Sequence, residues 1–424
     1  MVLGAPKRLG GPDKSRIVSR GKKSLSIVYI PLCFIGQIGW GEGHWPDKPL
    51  DRFRRDSLIR LNHEMGAPDP FGTKRMLNAL ESYDTAWADL NALLWRTETT
   101  NGLAGAICQL EFNQKQTGFI KDCLMDVERY VFRHPDDPVR QFRIQFNAKR
   151  LERFNGSGVR QAPFGTEIVN GGCFLCKDNI RWQQQGAELG YAVDVNDRAY
   201  NAWMNPFPLM PGHVVIAADD HVTQDWELSQ RGGQKVFDLI ADLTRLAERM
   251  PGFVGFYNGV DAGASIPGHL HFQFFRRPED FPIFPLELRM LGLAAHDGEP
   301  AIGMSYPLPV IKWSGRAEEI TPLAASWIHA WAEKNTRRIE RMTGNIVVTT
   351  SCEQAVTLYF VPRHRKRTRS EGLSGLIGGL EVMGELVLSS PEEHRRIENG
   401  EIDYFTIEKI LTDIRTPLYD EWDD

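Results

Sequence analysis

Long apolar runs, charge of one sign and closely spaced cysteines are scarce in this 424-residue chain, and each shortage excludes a class of protein. The most membrane-like stretch runs from Ile27 to Ile35 behind Lys22-Lys23 and reads like the front of a signal peptide. It is interrupted by Pro31 and falls far short of the roughly 20 apolar residues that span a bilayer. No small-residue cleavage pattern follows in Gly36–Trp40, so an untargeted tail is expected there rather than a leader. Fifty Lys and Arg stand against 55 Asp and Glu, a net charge of -5, too balanced for a general nucleic-acid or membrane binder. Any phosphate recognition must therefore be local. The six cysteines, at 33, 108, 123, 173, 176 and 352, are too sparse for a secreted disulfide framework and lead to the expectation of a cytoplasmic protein. A Gly-rich dinucleotide fingerprint and a regular βαβ beat are also missing, which argues against a Rossmann fold. Neither a low-complexity tract nor a short tandem repeat is visible. What remains, at 42% hydrophobic and 25% charged, is an ordinary globular composition, long enough for one large or two modest domains.

The pattern within that composition predicts an α+β architecture built on antiparallel sheet with flanking helices, in two lobes. Residues 1–60 are expected to form a flexible N-terminal tail. A catalytic lobe over 70–290 is expected to begin with helices, since apolar residues between Pro70 and Thr97 recur at three- and four-residue intervals. A smaller α+β lobe is expected over 300–424, joined by the Pro-rich stretch Pro278–Pro309 acting as a linker. Phe142, Ile144 and Phe146 alternate as on a half-buried strand. Further strands are predicted over 213–217, 252–257, 269–275, 345–350 and 355–361, and helices over 233–249 and 326–342. The first of these helices carries Val236, Leu239, Ile240, Leu243 and Leu246 on one stripe.

The run from Asn258 to Phe275 is the most informative. Side chains alternate on a strand, so His269, His271 and Gln273 share one face while Leu270, Phe272 and Phe274 point into the core. Before them lies a small-residue turn, Gly263-Ala264-Ser265, whose backbone N–H groups can approach a phosphate without obstruction. An imidazole beside such a cradle can attack an α-phosphorus and form a nucleotidyl intermediate, dividing one difficult transfer into two easier ones. His271 is the candidate nucleophile. Gln273 can donate a hydrogen bond to a phosphoryl oxygen but cannot protonate a leaving group, which favours groups that depart as phosphates. The competing reading is a strand whose histidines are hydrogen-bonded core residues. Upstream, Cys173-Phe174-Leu175-Cys176 has the spacing with which two thiolates meet one Zn²⁺, although redox use or two unligated thiols share that spacing.

On these residues the chain resembles the histidine-triad superfamily, in the branch containing galactose-1-phosphate uridylyltransferase, GDP-L-galactose phosphorylase and diadenosine tetraphosphate phosphorylase, where Gln replaces the third His of the hydrolases. The likeness covers roughly residues 140 to 395 and is firmest over 173–181 and 258–275. It implies a GalT-like fold and a zinc site in which His221 and His269 complete the set begun by Cys173 and Cys176. No organic cofactor is implied, and four protein ligands would make the zinc structural. Asn258 matches the Asn that touches the phosphates in the uridylyltransferases. Asn205, in Asn205-Pro206-Phe207-Pro208, falls in a segment similar to one wall of the nucleotide pocket, where it either binds ribose or phosphate or forms a turn. Gln145-Phe146-Asn147-Ala148-Lys149-Arg150 and Pro362-Arg363-His364-Arg365-Lys366 resemble segments of bacterial relatives. They make Arg150, Arg363 and Lys366 candidates for phosphate contacts, with solvated faces as the alternative. Leu270 stands where the uridylyltransferases have Pro, with one extra residue before the first histidine. The text His-Leu-His-Phe-Gln is closer to the GDP-L-galactose phosphorylases.

The resemblance therefore implies a nucleotidyltransferase of the phosphorylase type, converting an NDP-sugar of the GDP-hexose kind and phosphate into NDP and sugar 1-phosphate. A dinucleoside polyphosphate phosphorylase with the same intermediate is the alternative, and a catalytically silent nucleotide- or zinc-binding module is the second. Partners are then a nucleotide or nucleotide sugar and phosphate, with neither nucleic acid nor membrane expected. A homodimer is compatible with the reading.

Overall fold

The computed structural model describes residues 16–17, 72–155, 162, 166–226, 233–293, 299–335, 342–351, 355–368, 370 and 376–418. Most of the expected 1–60 tail, the apolar stretch 27–35, Cys33 and Cys352 lie outside the described residues.

The architecture is α+β, with a large antiparallel sheet and flanking helices. A short strand β1 (Arg16–Ile17) and helix α1 (Gly72–Gln116) come first. Helix α1 extends well past the expected end because Leu103, Ala106, Ile107 and Leu110 continue its buried stripe. It is broken at Gly102, whose φ of 72° lies in the left-handed region that costs other residues energy. The small sheet continues with β2 (Glu128–Arg133) and β3 (Gln141–Phe146). After helix α2 (Lys177–Gln183) the large sheet begins with β4 (Tyr191–Val195), β5 (Arg198–Met204) and β6 (Val214–Ala218). Helix α3 (Gly233–Arg249), β7 (Phe253–Asn258), β8 (His271–Arg276), a short α4 (Pro285–Arg289), β9 (Ala301–Gly303), β10 (Val310–Gly315) and α5 (Ala317–Lys334) follow. Strands β11 (Met342–Thr350) and β12 (Val356–His364) complete the large sheet. Helix α6 (Gly379–Val382), strand β13 (Glu385–Leu388) and helices α7 (Pro391–Glu398) and α8 (Tyr404–Asp413) close the chain.

Among the described residues the large sheet has nine strands, in the order β4-β5-β6-β8-β7-β11-β12-β10-β9. Each pairing is antiparallel. Strands from both expected lobes are thus hydrogen-bonded into one sheet. The Pro-rich segment between them is packed rather than a spacer: Phe284, Leu286, Tyr306 and Leu308 are all buried.

Two cores divide the central strands by the parity of their residues. Phe272, Phe274, Ile346, Val348, Leu358 and Phe360 face the core that also holds Val236, Leu239, Ile240, Leu243 and Leu246 of α3. Phe275, Val347, Tyr359 and Val361 face the second core, with residues of β3, β13 and α8. The central sheet is therefore a middle layer covered on both faces, and His271 and Gln273 share the parity of Phe275. Strand β3 is buried on both faces rather than half-buried: Phe142, Ile144 and Phe146 enter the second core, while Arg143 on the opposite face reaches the carbonyl of Ile283. Its polar side chains find internal partners: Arg143 lies 3.6 Å from Glu385, and Gln145 donates to the Leu209 carbonyl at 3.1 Å.

Close approach of β7 and the β8 side chains depends on Gly255, where an added Cβ would sit 2.2 Å from the ring of Phe274. Gly255→Ala is expected to lower the unfolding free energy by about 2 kcal/mol through overpacking. Urea denaturation measures this; unchanged stability would show that the contact is slack.

Candidate active site

Strand β8 meets β6 with His271 opposite Ala217. On its other side it pairs with β7 in the register Phe256 to Gln273. Two residues further along each strand, Asn258 and His271 keep that shared face. Here a buried side chain takes over from the backbone ladder. Gln224 donates from Nε2 to the carbonyls of Asn258, at 2.8 Å, and His271, at 3.2 Å. Its Oε1 accepts the His271 N–H at 2.8 Å. A primary amide can donate and accept in this way, so it stitches the two strands where their backbone ladder ends.

The ring of His271 is fixed in tautomer. Nδ1 lies 2.8 Å from the carbonyl of His269, which can only accept, so Nδ1 carries the proton and Nε2 the lone pair. Burial lowers the His271 pKa to about 4, leaving a neutral ring near pH 7. Gln273 is oriented by the same logic. The Leu209 N–H donates to His213 Nδ1 at 3.0 Å, so His213 Nε2 carries its proton and donates to Gln273 Oε1 at 2.9 Å. The amide N–H groups of Gln273 then face away from His213. Asn258 Oδ1 accepts from Asn345 Nδ2 at 2.8 Å, which leaves the Asn258 amide donors without a partner among the described residues.

The turn before β8 packs backbone against backbone. Gly263 has φ 97°, and a Cβ there would sit 2.3 Å from Gly378 Cα. The N–H groups of Gly263, Ala264 and Ser265 make no hydrogen bond among the described residues, as an anion cradle requires.

Cys173, Cys176, His221 and His269 bring their donor atoms within 4.8 Å of one another. The Sγ–Nδ1 separations are 3.4 Å for Cys173–His269, 3.6 Å for Cys176–His269 and 3.3 Å for Cys176–His221. A tetrahedral zinc with its usual bond lengths has S···N edges of about 3.6 Å, so this donor set fits a four-coordinate metal. His269 Nε2 meets the carbonyl of Ala218 at 2.7 Å, which places the proton there and turns the Nδ1 lone pair toward the thiols. His269 is therefore grouped with the metal donors rather than with His271 and Gln273. The reason is backbone position, since it precedes the first residue of β8.

Other expected contacts are placed differently. Arg363 is fully buried and donates to Asn345 Oδ1 at 2.8 Å and to the Ile377 carbonyl at 2.9 Å, so its strand carries it inward, away from the surface. Arg150 is also buried and donates to the carbonyl of Phe207. Asn205 caps its own turn, Oδ1 accepting the Phe207 N–H at 2.9 Å. Lys366 lies exposed on the turn after β12. Gln224 and Asn345 escaped the sequence reading, and nothing local marks either one. His213 was visible only as the first residue of the strand predicted over 213–217.

Residues 111–276 match a family model described as a domain of unknown function, DUF4922. No curated protein matches the chain. The fold is similar to that of yeast Ap4A phosphorylase Apa2. Its complex with Ap4A superposes at a TM-score of 0.50 with 16% identity, over 73% of this chain and 98% of that one. The complex with AMP gives 0.47 and 18%, over 73% and 96%. The arrangement of sheet and helices is thus similar to the fold of an Ap4A phosphorylase.

His213 also predicts a pH dependence. Burial, with the nearby Arg150 charge, lowers its pKa to about 3 from an ordinary 6.5. The unfolded chain takes up that proton first, so the stability this group contributes is complete above about 6.5 and is lost as pH falls toward 3. Between pH 7 and 5 the wild type should lose about 2 kcal/mol more than the non-titrating His213→Gln. Urea unfolding at the two pH values decides; equal losses would contradict a buried neutral His213.

Proposed function

We propose that the chain is a nucleotidyl-transferring phosphorylase that works through a covalent nucleotidyl-His271, with a dinucleoside polyphosphate as donor. The observation carrying this reading is the directed set on one strand face. His271 Nε2 holds a lone pair, and on the same sheet face the amide donors of Gln273 and Asn258 have no partner among the described residues.

In the first step the His271 Nε2 lone pair forms a bond to the α-phosphorus as the bridging P–O bond breaks, and the nucleoside polyphosphate leaves as an anion. That leaving group needs no proton, which suits a Gln at position 273. The amides of Gln273 and Asn258 and the turn Gly263-Ala264-Ser265 supply hydrogen bonds to charge on the phosphoryl oxygens. The His269 carbonyl, accepting from Nδ1, stabilises positive charge on the phosphorylated ring. In the second step an oxygen of inorganic phosphate attacks the same phosphorus, the N–P bond breaks, and a nucleoside diphosphate departs with His271 restored. From a dinucleoside tetraphosphate the products are one nucleoside triphosphate and one diphosphate.

The fold likeness to a protein crystallised as an Ap4A phosphorylase with Ap4A favours this donor over the NDP-hexose expected from the strand text alone. The His-Leu-His-Phe-Gln text still supports the second donor. Cys173, Cys176, His221 and His269 would hold zinc, which when bound supplies a structural cross-link with no open coordination position.

With Ap4A and phosphate, chromatography should show ATP and ADP in equal amounts. His271→Ala should lower this rate at least about a thousandfold without loss of fold. Conversion of GDP- or UDP-hexose to NDP and sugar 1-phosphate, with Ap4A untouched, would move the assignment to the second donor. Turnover by His271→Ala close to wild type would remove the mechanism. Elemental analysis should find about one zinc per chain, lost in Cys173→Ser together with thermal stability. A metal-free, fully stable parent would retire the zinc reading.

A further inference from the structure

The geometry points to Arg363 and Asn345 as positioning residues that set which end of the Asn258 amide faces the phosphate site. This inference rests on the reading of that site given above.

Arg363 has no choice of hydrogen-bonding role. A guanidinium carries donors only, so the atom 2.8 Å from Arg363 Nη1 must be the Asn345 carbonyl oxygen. Asn345 Nδ2 consequently points the other way, toward two acceptors, Asn258 Oδ1 at 2.8 Å and the Ala262 carbonyl at 2.7 Å. The Ala262 carbonyl can only accept, which fixes the same orientation of Asn345 independently. With its Oδ1 engaged, Asn258 is left presenting Nδ2–H groups, which have no partner among the described residues.

The chain Arg363 to Asn345 to Asn258 therefore passes donor polarity outward from the core. It also ties down the turn, because Ala262 immediately precedes Gly263. Arg363 and Asn345 are fully buried and Asn258 is 5% exposed, so no water competes for the inner bonds. β11 supplies the alignment, with Asn345 opposite Asn258 in the ladder. An Asn amide free to turn would present its oxygen to an anion half the time. One held this way presents a donor always.

The test separates phosphate recognition from binding of the base and ribose. Calorimetry is run on wild type, Asn258→Ala, Asn345→Asp and the double variant with AMP and with adenosine, and in parallel with GMP and guanosine. Asn345→Asp keeps the Arg363 contact but offers Asn258 an acceptor, so the Asn258 amide should turn and point its oxygen at the phosphate. Affinity for the monophosphate is then expected to fall by at least tenfold while affinity for the nucleoside is unchanged. In the Asn258→Ala background the same substitution should cost no further affinity, since coupling through one residue is not additive.

If Asn345→Asp unfolds, Asn345→Ala replaces it. Removing the donor lets the Asn258 amide turn either way, and about a twofold loss for the monophosphate alone is expected. Equal losses for nucleotide and nucleoside, or full additivity with Asn258→Ala, would overturn the positioning role while leaving the phosphorylase reading intact. No binding of any nucleotide by the wild type would overturn the reading and the inference together.

Discussion

The site depends on one hydrogen bond between neighbours in sequence, from His271 Nδ1 to the carbonyl of His269. A free imidazole exchanges its proton between two nitrogens. This one cannot, because a carbonyl oxygen accepts and never donates. His269 is itself held at both ring nitrogens, Nε2 against the Ala218 carbonyl and Nδ1 toward the two thiols. The metal-donor group and the candidate nucleophile are thus mechanically continuous over three residues. Whatever fixes the His269 backbone fixes where the His271 lone pair points.

The same device recurs in each polar group of the site. His213 can offer only a donor to Gln273, because its other nitrogen accepts from Leu209. Asn345 can offer only a donor to Asn258, because its oxygen faces Arg363. The second layer therefore sets direction, and the first layer presents it. Energetically this orientation is established during folding, so in the proposed reaction no reorganisation would be needed as charge develops on a phosphoryl group. The small sheet and the turn after β3 join in, since Gln145 and Arg150 hold the carbonyls of Leu209 and Phe207 in the loop that leads to His213.

Sequence legibility follows the range of the interaction. The helix at 233–249 could be read with its ends, because a stripe such as Val236, Leu239, Ile240 and Leu243 is local information. The pair His271 and Gln273 and the Cys173–Cys176 motif were legible for the same reason, and His221 and His269 came through the resemblance. The extension of α1 to Gln116 was not legible, because Gly102 interrupts the stripe that Leu103, Ala106, Ile107 and Leu110 resume, nor was the burial of β3 on both faces, because distant segments cover it. Asn345 gains its meaning only from a ladder that puts it beside Asn258, 87 positions away. Arg363 illustrates the opposite failure. A basic run after a strand reads as a surface for phosphate, yet Arg363 is still within β12, whose alternation carries this guanidinium inward, where it holds an amide.

The most direct test of the central claim is the intact mass of the protein after brief exposure to Ap4A without phosphate, followed by mapping of the modified peptide. The account predicts one AMP adduct per chain, located on His271 and discharged as ADP when phosphate is added. An adduct on another residue, or phosphate-dependent ADP formation by protein in which His271 is never modified, would contradict it.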